Sequence, residues 1–257
     1  MKSFSLYTLM LLACQGSPSA KPAKELDPKD GRSVLEHAAF NTRTQQSYET
    51  KFKAQLTTSG APLDYNGRCV WVRPGVLFVH YTASGGDEKM IVRAGDSDVW
   101  VWNPLVGWVT SEEAAIPGAG RGIQNPDEVL ALLAANAEHA KLAKPGVIEM
   151  PLTGGVIANI MKGQANQKAF NWQNSKANLG VSVDADNRLQ MFTCDATLDA
   201  IGAGANGANA TVKYTGEVTL VGYNGAREIK FLDEKKREIP LLPEMKSKIE
   251  SVLKEKR

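Results

Sequence analysis

Residues 67–83 read Gly67-Arg68-Cys69-Val70-Trp71-Val72-Arg73-Pro74-Gly75-Val76-Leu77-Phe78-Val79-His80-Tyr81-Thr82-Ala83. β-Branched and aromatic residues stand on both sides of Arg73-Pro74-Gly75, whose proline and glycine favour a tight reversal. The stretch therefore predicts two antiparallel strands, 68–72 and 76–83. The same pattern extends outward in both directions. Upstream, Tyr48, Thr50, Phe52, Ala54 and Leu56 alternate with Glu49, Lys51, Lys53 and Gln55, the period of a half-buried strand. Downstream, strands are predicted over 89–93, 98–102 and 107–110, parted by Gly85-Gly86-Asp87, Gly95-Asp96 and Asn103-Pro104. Connections this short join neighbours in an antiparallel meander.

Helical signals flank the meander. Ser33 and Glu36 have capping-box spacing, and Val34, Leu35, Ala38 and Ala39 give an apolar face, which predicts a helix over 33–43. Asn125-Pro126-Asp127-Glu128 supplies an N-cap, a first-turn proline and first-turn acids for a helix running to about residue 142, stopped by Pro145-Gly146. A weaker helical segment is expected over 156–162. Strands resume over 180–183, 188–196, 211–222 and 227–232, with turns at 184–187 and at Asn224-Gly225. Pro243 and Glu244 then open a terminal helix in which Met245, Ile249, Val252 and Leu253 share a face. This order predicts an α+β domain: one curved antiparallel sheet with helices on one face, rather than alternating βαβ units.

With 257 residues, 43% of them hydrophobic and 23% charged, the chain has the composition of a globular protein, and 30 basic against 28 acidic residues provide no global field for nucleic acid. The N-terminus adds a compartment. Lys2 precedes an uncharged, mostly apolar run from Phe4 to Ala13, too short to span a bilayer and suited to a secretion signal over residues 1–13. That run ends Leu11-Leu12-Ala13-Cys14, a string similar to the bacterial lipobox, which predicts cleavage before Cys14 and acylation of its thiol. Residues 14–32 then read as the lipidated cysteine and a flexible tether, and 33–257 as the folded domain. Cys69 and Cys194 remain, either as a disulfide in an oxidising compartment or as two small buried residues that never meet.

Signals for catalysis are weak. Gly202-Ala203-Gly204-Ala205-Asn206-Gly207 has the glycine spacing of a dinucleotide loop, yet a β-like stretch follows it where that fingerprint requires a helix. His37, His80 and His139 lack partners at metal-ligand spacing, and no serine stands in a nucleophile-elbow context. No metal, cofactor or catalytic group is expected. The aromatics concentrate instead: Trp71, Phe78, Tyr81, Trp100, Trp102 and Trp108 all fall within the first meander, as core filling or as the lining of an apolar cavity.

The segments Gly67 to Phe78 and Val99-Trp100-Val101-Trp102-Asn103-Pro104-Leu105-Val106 resemble the LolA-type lipoprotein carriers, in which one strand ends in Arg-Pro and a later one reads Trp-x-aromatic-Asn-Pro. Asn125-Pro126 leading into Leu132, Leu133, Ala134 and Asn136 resembles the helix that covers the sheet in that family. The match spans about residues 65–136. The resemblance implies an incomplete β-barrel whose concave face is closed by a helical lid, with acyl chains held between them. It also implies a cavity lined by Trp71, Leu77, Val79, Tyr81, Trp100 and Trp102 from the sheet and by Leu132 and Leu133 from the lid. Arg73 corresponds to the arginine that latches the lid backbone; as a turn residue it would instead pair locally. The sequence departs from the pattern at Trp71, which lies one residue nearer the Arg-Pro and so calls for a bulge or a reversed side chain. Leu77 replaces a phenylalanine common in soluble carriers. A lipobox is also foreign to those carriers and resembles membrane-anchored relatives such as LolB-type receptors, RseB-like sensors and LppX-like lipoproteins.

Together these readings predict a non-enzymatic periplasmic lipoprotein, anchored by its N-terminal lipid to the inner or outer membrane, that binds acyl chains of lipoproteins or lipids for transport or sorting. The alternative is an envelope scaffold or stress-sensing module of the same fold that binds a protein partner.

Overall fold

The computed structural model describes residues 22, 24–58, 61–86, 88–95, 98–114, 126–154, 156–157, 170–204, 207–225, 227–233 and 235–254. Cys14, the secretion signal and residues 158–162 of the weak helical segment lie outside them. Eleven strands form one sheet: β1 (Ser47–Thr57), β2 (Leu63–Val72), β3 (Val76–Ala83), β4 (Glu88–Ala94), β5 (Asp98–Asn103), β6 (Gly107–Thr110), β7 (Lys141–Lys144), β8 (Val147–Thr153), β9 (Lys176–Val183), β10 (Leu189–Ala200) and β11 (Ala210–Tyr223). Their hydrogen-bonded order is β6-β5-β4-β3-β2-β1-β11-β10-β9-β8-β7. The chain thus meanders outward from β1 to one edge at β6, resumes at the other edge with β7 and meanders inward until β11 lies beside β1. Because β6 and β7 remain unpaired with each other, the sheet is an incomplete barrel of the α+β class, as the order of elements predicted.

Two compact units divide this sheet. The first collects helix α1 (Gly31–Arg43), helix α2 (Pro126–Ala135), β7 to β10 and the first ten residues of β11. α1 is capped by Asp30, whose side chain accepts from the Arg32 backbone N–H at 3.0 Å. The expected cap, Ser33, instead accepts from the Asp27 N–H at 2.9 Å. Val34, Leu35, Ala38, Ala39 and Thr42 form the buried stripe of α1, which packs on α2 and touches β7, β8 and β10. The helix approaches β7 so closely that a Cβ on Gly31 would stand 2.6 Å from the Leu142 backbone nitrogen. At its other end the buried Thr42 hydroxyl accepts from the Leu189 N–H at 2.9 Å, and Asn41 donates to the Asn187 carbonyl at 3.1 Å. Ile148, Met150, Leu179, Val181, Leu198 and Tyr214 are buried side chains of this unit's strands.

α2 is shorter than predicted. It ends at Ala135, a 3-10 turn occupies Ala137–His139, and Lys141–Lys144 forms the edge strand β7 paired to β8. Pro145-Gly146, expected to stop a helix, is the hairpin turn between those strands, with Gly146 at φ 71°.

The second unit holds β3 to β6, most of β2, the first half of β1 and the chain from Leu220 onward. Its core is Val70, Val76, Phe78, Met90, Val92, Trp100 and Trp108 against Ile229, Phe231, Ile239, Met245 and Val252. The last two belong to helix α3 (Pro243–Lys254), which packs its apolar stripe on β3 and β4 as the spacing predicted. The stretch 227–232 is a correction: it is not a ladder strand but an extended strap with a single bridge, Leu232 to Glu238. The reason is its cargo of Ile229 and Phe231, 4% and 1% exposed, which are buried by lying across the sheet rather than joining its edge. The strap turns at Asp233, whose carboxylate accepts from the Arg237 and Lys235 N–H groups and from the Arg237 guanidinium. These bonds, the Arg237 N–H foremost, hold its pKa below the ordinary value. Trp108 Nε1 closes the strap by donating to the Pro240 carbonyl at 3.1 Å.

Candidate functional site

Residues directly opposite in an antiparallel ladder share a face, so the register of β2 to β6 sorts the aromatic meander into two surfaces. One surface carries Val70, Phe78, Val92, Trp100 and, on the next row, Trp102 opposite Trp108; this is the face under the strap and α3. The other carries three rows roughly 7 Å apart. The first is Gly67, Tyr81 and Lys89; the second is Cys69, Val79, Ile91, Val101 and Val109; the third is Trp71, Leu77, Arg93 and Val99.

This second surface is the candidate site. Its middle row spans five strands without a charged side chain, and Val79, Ile91 and Val101 are buried. Tyr81 and Lys89 at the Gly67 end are half-buried, and the Tyr65 ring lies 6.3 Å from that of Tyr81. Burial raises the Tyr65 phenol pKa. Phe52 of β1 lies across this end, because a Cβ on Gly67 would stand 2.4 Å from its ring and 2.6 Å from the His80 carbonyl oxygen. Only glycine leaves the room. The row therefore grades from phenols and an ammonium at one end, through hydrocarbon, to Trp71 and Arg93 at the other.

The expected lining residues divide accordingly. Trp71, Leu77, Val79 and Tyr81 stand together on this surface. Trp100 and Trp102 stand on the opposite one, where Trp100 packs among Phe78, Val92 and the strap. Leu133 is buried within α2 in the first unit; Leu132 is in the same helix, its side chain outside the described residues. Trp71 pairs with Leu77 in an unbroken register from Tyr65 to Val72, so the one-residue departure is met by no bulge; the side chain keeps the Leu77 face. Arg73 donates from Nε to the Gln45 carbonyl and from its backbone N–H to that of Gln46 at 2.9 Å. It thus ties the β2–β3 turn to the connection between α1 and β1.

Of the two readings left open for the cysteines, the structure carries the unbridged one: Cys69 and Cys194 are both free, and β1 and β11 stand between their strands in the sheet order. Burial pushes both thiols up to about 12, although the Thr50 hydroxyl partly offsets this at Cys69. Cys194 is a buried core thiol and Cys69 a half-buried one, and neither has the lowered pKa of a nucleophile.

Among the described residues no group of three or more His, Cys, Asp or Glu could hold a metal ion, and no helix is long and apolar enough to cross a membrane. What the surface offers chemically is hydrocarbon contact, with Trp71, Leu77, Val79, Ile91 and Val101 all buried. Sequence reasoning missed Ile91, Val101 and Val109 as members of it; their parity with Val79 across the short turns was the available signal.

No protein-family model and no curated protein sequence matches the chain. Solved structures similar to it include LprF from Mycobacterium bovis, at 10% identity and TM-score 0.39 over 79% of this chain and 97% of that one. A DUF1329 family protein from Desulfovibrio piger is similar at 10% identity and TM-score 0.28, over 73% and 91%. A domain assigned to outer membrane lipoprotein sorting from Vibrio parahaemolyticus is similar at 8% identity and TM-score 0.30, over 79% and 95%.

Proposed function

We propose that this chain is a non-enzymatic protein of the bacterial cell envelope that binds acyl chains of lipoproteins or lipids on the Trp71–Leu77–Val79 face of β2 to β6. The observation that carries the reading is the uncharged middle row, five strands wide, on the face opposite the strap-covered core. Each methylene removed from water contributes about 0.8 kcal/mol, so a fatty chain needs no polar or catalytic group to be retained. The absence of directional bonds along the middle row favours release as well as capture, as transport or sorting requires. The lipobox-like Leu11-Leu12-Ala13-Cys14 supports a lipid anchor in the periplasm, and the strand motifs that resemble lipoprotein carriers support the ligand class.

A second reading, a scaffold that docks a protein partner, is favoured by the β5–β6 turn, where Leu105 is 93% and Val106 69% exposed. Titration with a dansyl-labelled fatty acid separates the two. The lipid reading predicts saturable binding, weakened about tenfold or more by Tyr81→Glu at the half-exposed end of the site and unchanged by Thr82→Glu, which projects from the opposite face. Absence of saturable binding in the unmodified protein would overturn it.

A further inference from the structure

Two tryptophans of the second unit treat their indole N–H groups differently. That of Trp108 donates to the Pro240 carbonyl, whereas that of Trp71, in a side chain only 1% exposed, has no acceptor among the described residues. A buried indole N–H ordinarily finds a partner, because stripping water from a donor without replacing it costs free energy. Trp71 is on the candidate surface, in the row it shares with Leu77, Arg93 and Val99. That row offers hydrogen-bond donors and hydrocarbon but no side-chain acceptor: Arg93 is itself a donor, to the Gly95 carbonyl at 2.8 Å. The neighbouring middle row is uncharged. A ligand that completes this arrangement brings an acceptor oxygen attached to an alkyl chain.

We infer that Trp71 Nε1 is a recognition donor for the carbonyl oxygen of an ester- or amide-linked acyl group, so that the site selects acyl lipids over plain hydrocarbon chains of equal length. This deepens the acyl-binding reading and rests on it. A carbonyl fits better than a hydroxyl group, since it accepts without leaving a proton of its own to be satisfied in an apolar row.

The test compares Trp71→Phe, which keeps an aromatic ring and loses the donor, with the unmodified full chain. Both are titrated with a dansyl-labelled lipid whose chain is ester-linked and with its ether-linked counterpart, which lacks the carbonyl. The unmodified protein is expected to bind the ester about tenfold more tightly than the ether, and the variant to bind both with the ether's affinity. The indole 15N–1H resonance of Trp71 is expected to shift on loading with ester and not with ether. Because Trp71 is 1% exposed, the loss of indole volume lowers the unfolding midpoint of the variant by itself, so both titrations are run well below that midpoint, and retained binding of the ether by the variant shows that the site is intact. Loss of ether binding together with ester binding in the folded variant would show that the ring serves packing and would overturn the inference. Equal ester and ether affinities in the unmodified protein would overturn it while leaving acyl binding intact. Binding of neither probe would remove the acyl-binding reading and this inference together.

Discussion

Gly67, the two thiols and Arg73 each make a claim that a single substitution or reagent can check. At Gly67 an added methyl group meets the Phe52 ring and the His80 carbonyl oxygen, and only the ring can move. Gly67→Ala is therefore expected to lower stability by about 1–3 kcal/mol, measured by denaturant unfolding, with part of the loss recovered when Phe52→Leu is added. Cys69 and Cys194 are expected to give identical masses with and without reductant and to resist alkylation at pH 8 until the protein is unfolded. Their folded pKa values, about 12 against an ordinary 9, favour the protonated thiol in the native state. Their contribution to stability is thus fully present below pH 9 and declines between about pH 9 and 12 as the unfolded chain ionises first. A thermal midpoint that rises over that interval would contradict the burial of these thiols. Arg73→Leu removes a charged donor from the Gln45 carbonyl and should cost about 1.5–3 kcal/mol, with faster amide exchange in the α1–β1 connection.

The strap and α3 decide which face of the meander is core. Phe231 is fully buried and its ring stands 5.2 Å from that of Trp108 and 6.2 Å from His80. Phe231→Ala should destabilise by about 3–5 kcal/mol, whereas Lys248→Ala, which breaks a surface ion pair with Asp98 at 3.0 Å, should cost less than about 1 kcal/mol. Comparable effects from the two would mean that the strap does not hold this unit. These elements also show what could be read locally. β3 and β6 matched their predicted spans because period-two alternation and Gly or Pro turns are local signals. β7 was hidden because the alanine-rich run before Pro145-Gly146 continues a helical pattern; β8 carries period-two alternation in Ile148, Met150 and Leu152, but Pro151 within the run argues against a strand until its pairing with β7 and β9 is seen. The assignment of Trp100 and Trp102 needed more than parity. Parity separates them from Trp71, but which face is filled by the protein depends on Ile229, Phe231, Met245 and Val252, more than a hundred residues later. Half of the site was therefore legible as a list of apolar residues and not as a surface.

For the molecule as a whole, near balance of 30 basic and 28 acidic residues suits a protein whose ligand is recognised by hydrocarbon rather than by field. One apolar face of the meander is covered by the chain's own C-terminal residues; the other, which carries Trp71, Leu77 and Val79, is the one proposed for a ligand. The decisive measurement is native mass spectrometry of the full chain purified from membranes without denaturant. The account predicts a bound mass that is released on unfolding and fragments into acyl chains, and that diminishes in Tyr81→Glu. A bare protein mass, or a stoichiometric protein partner with no lipid, would contradict it.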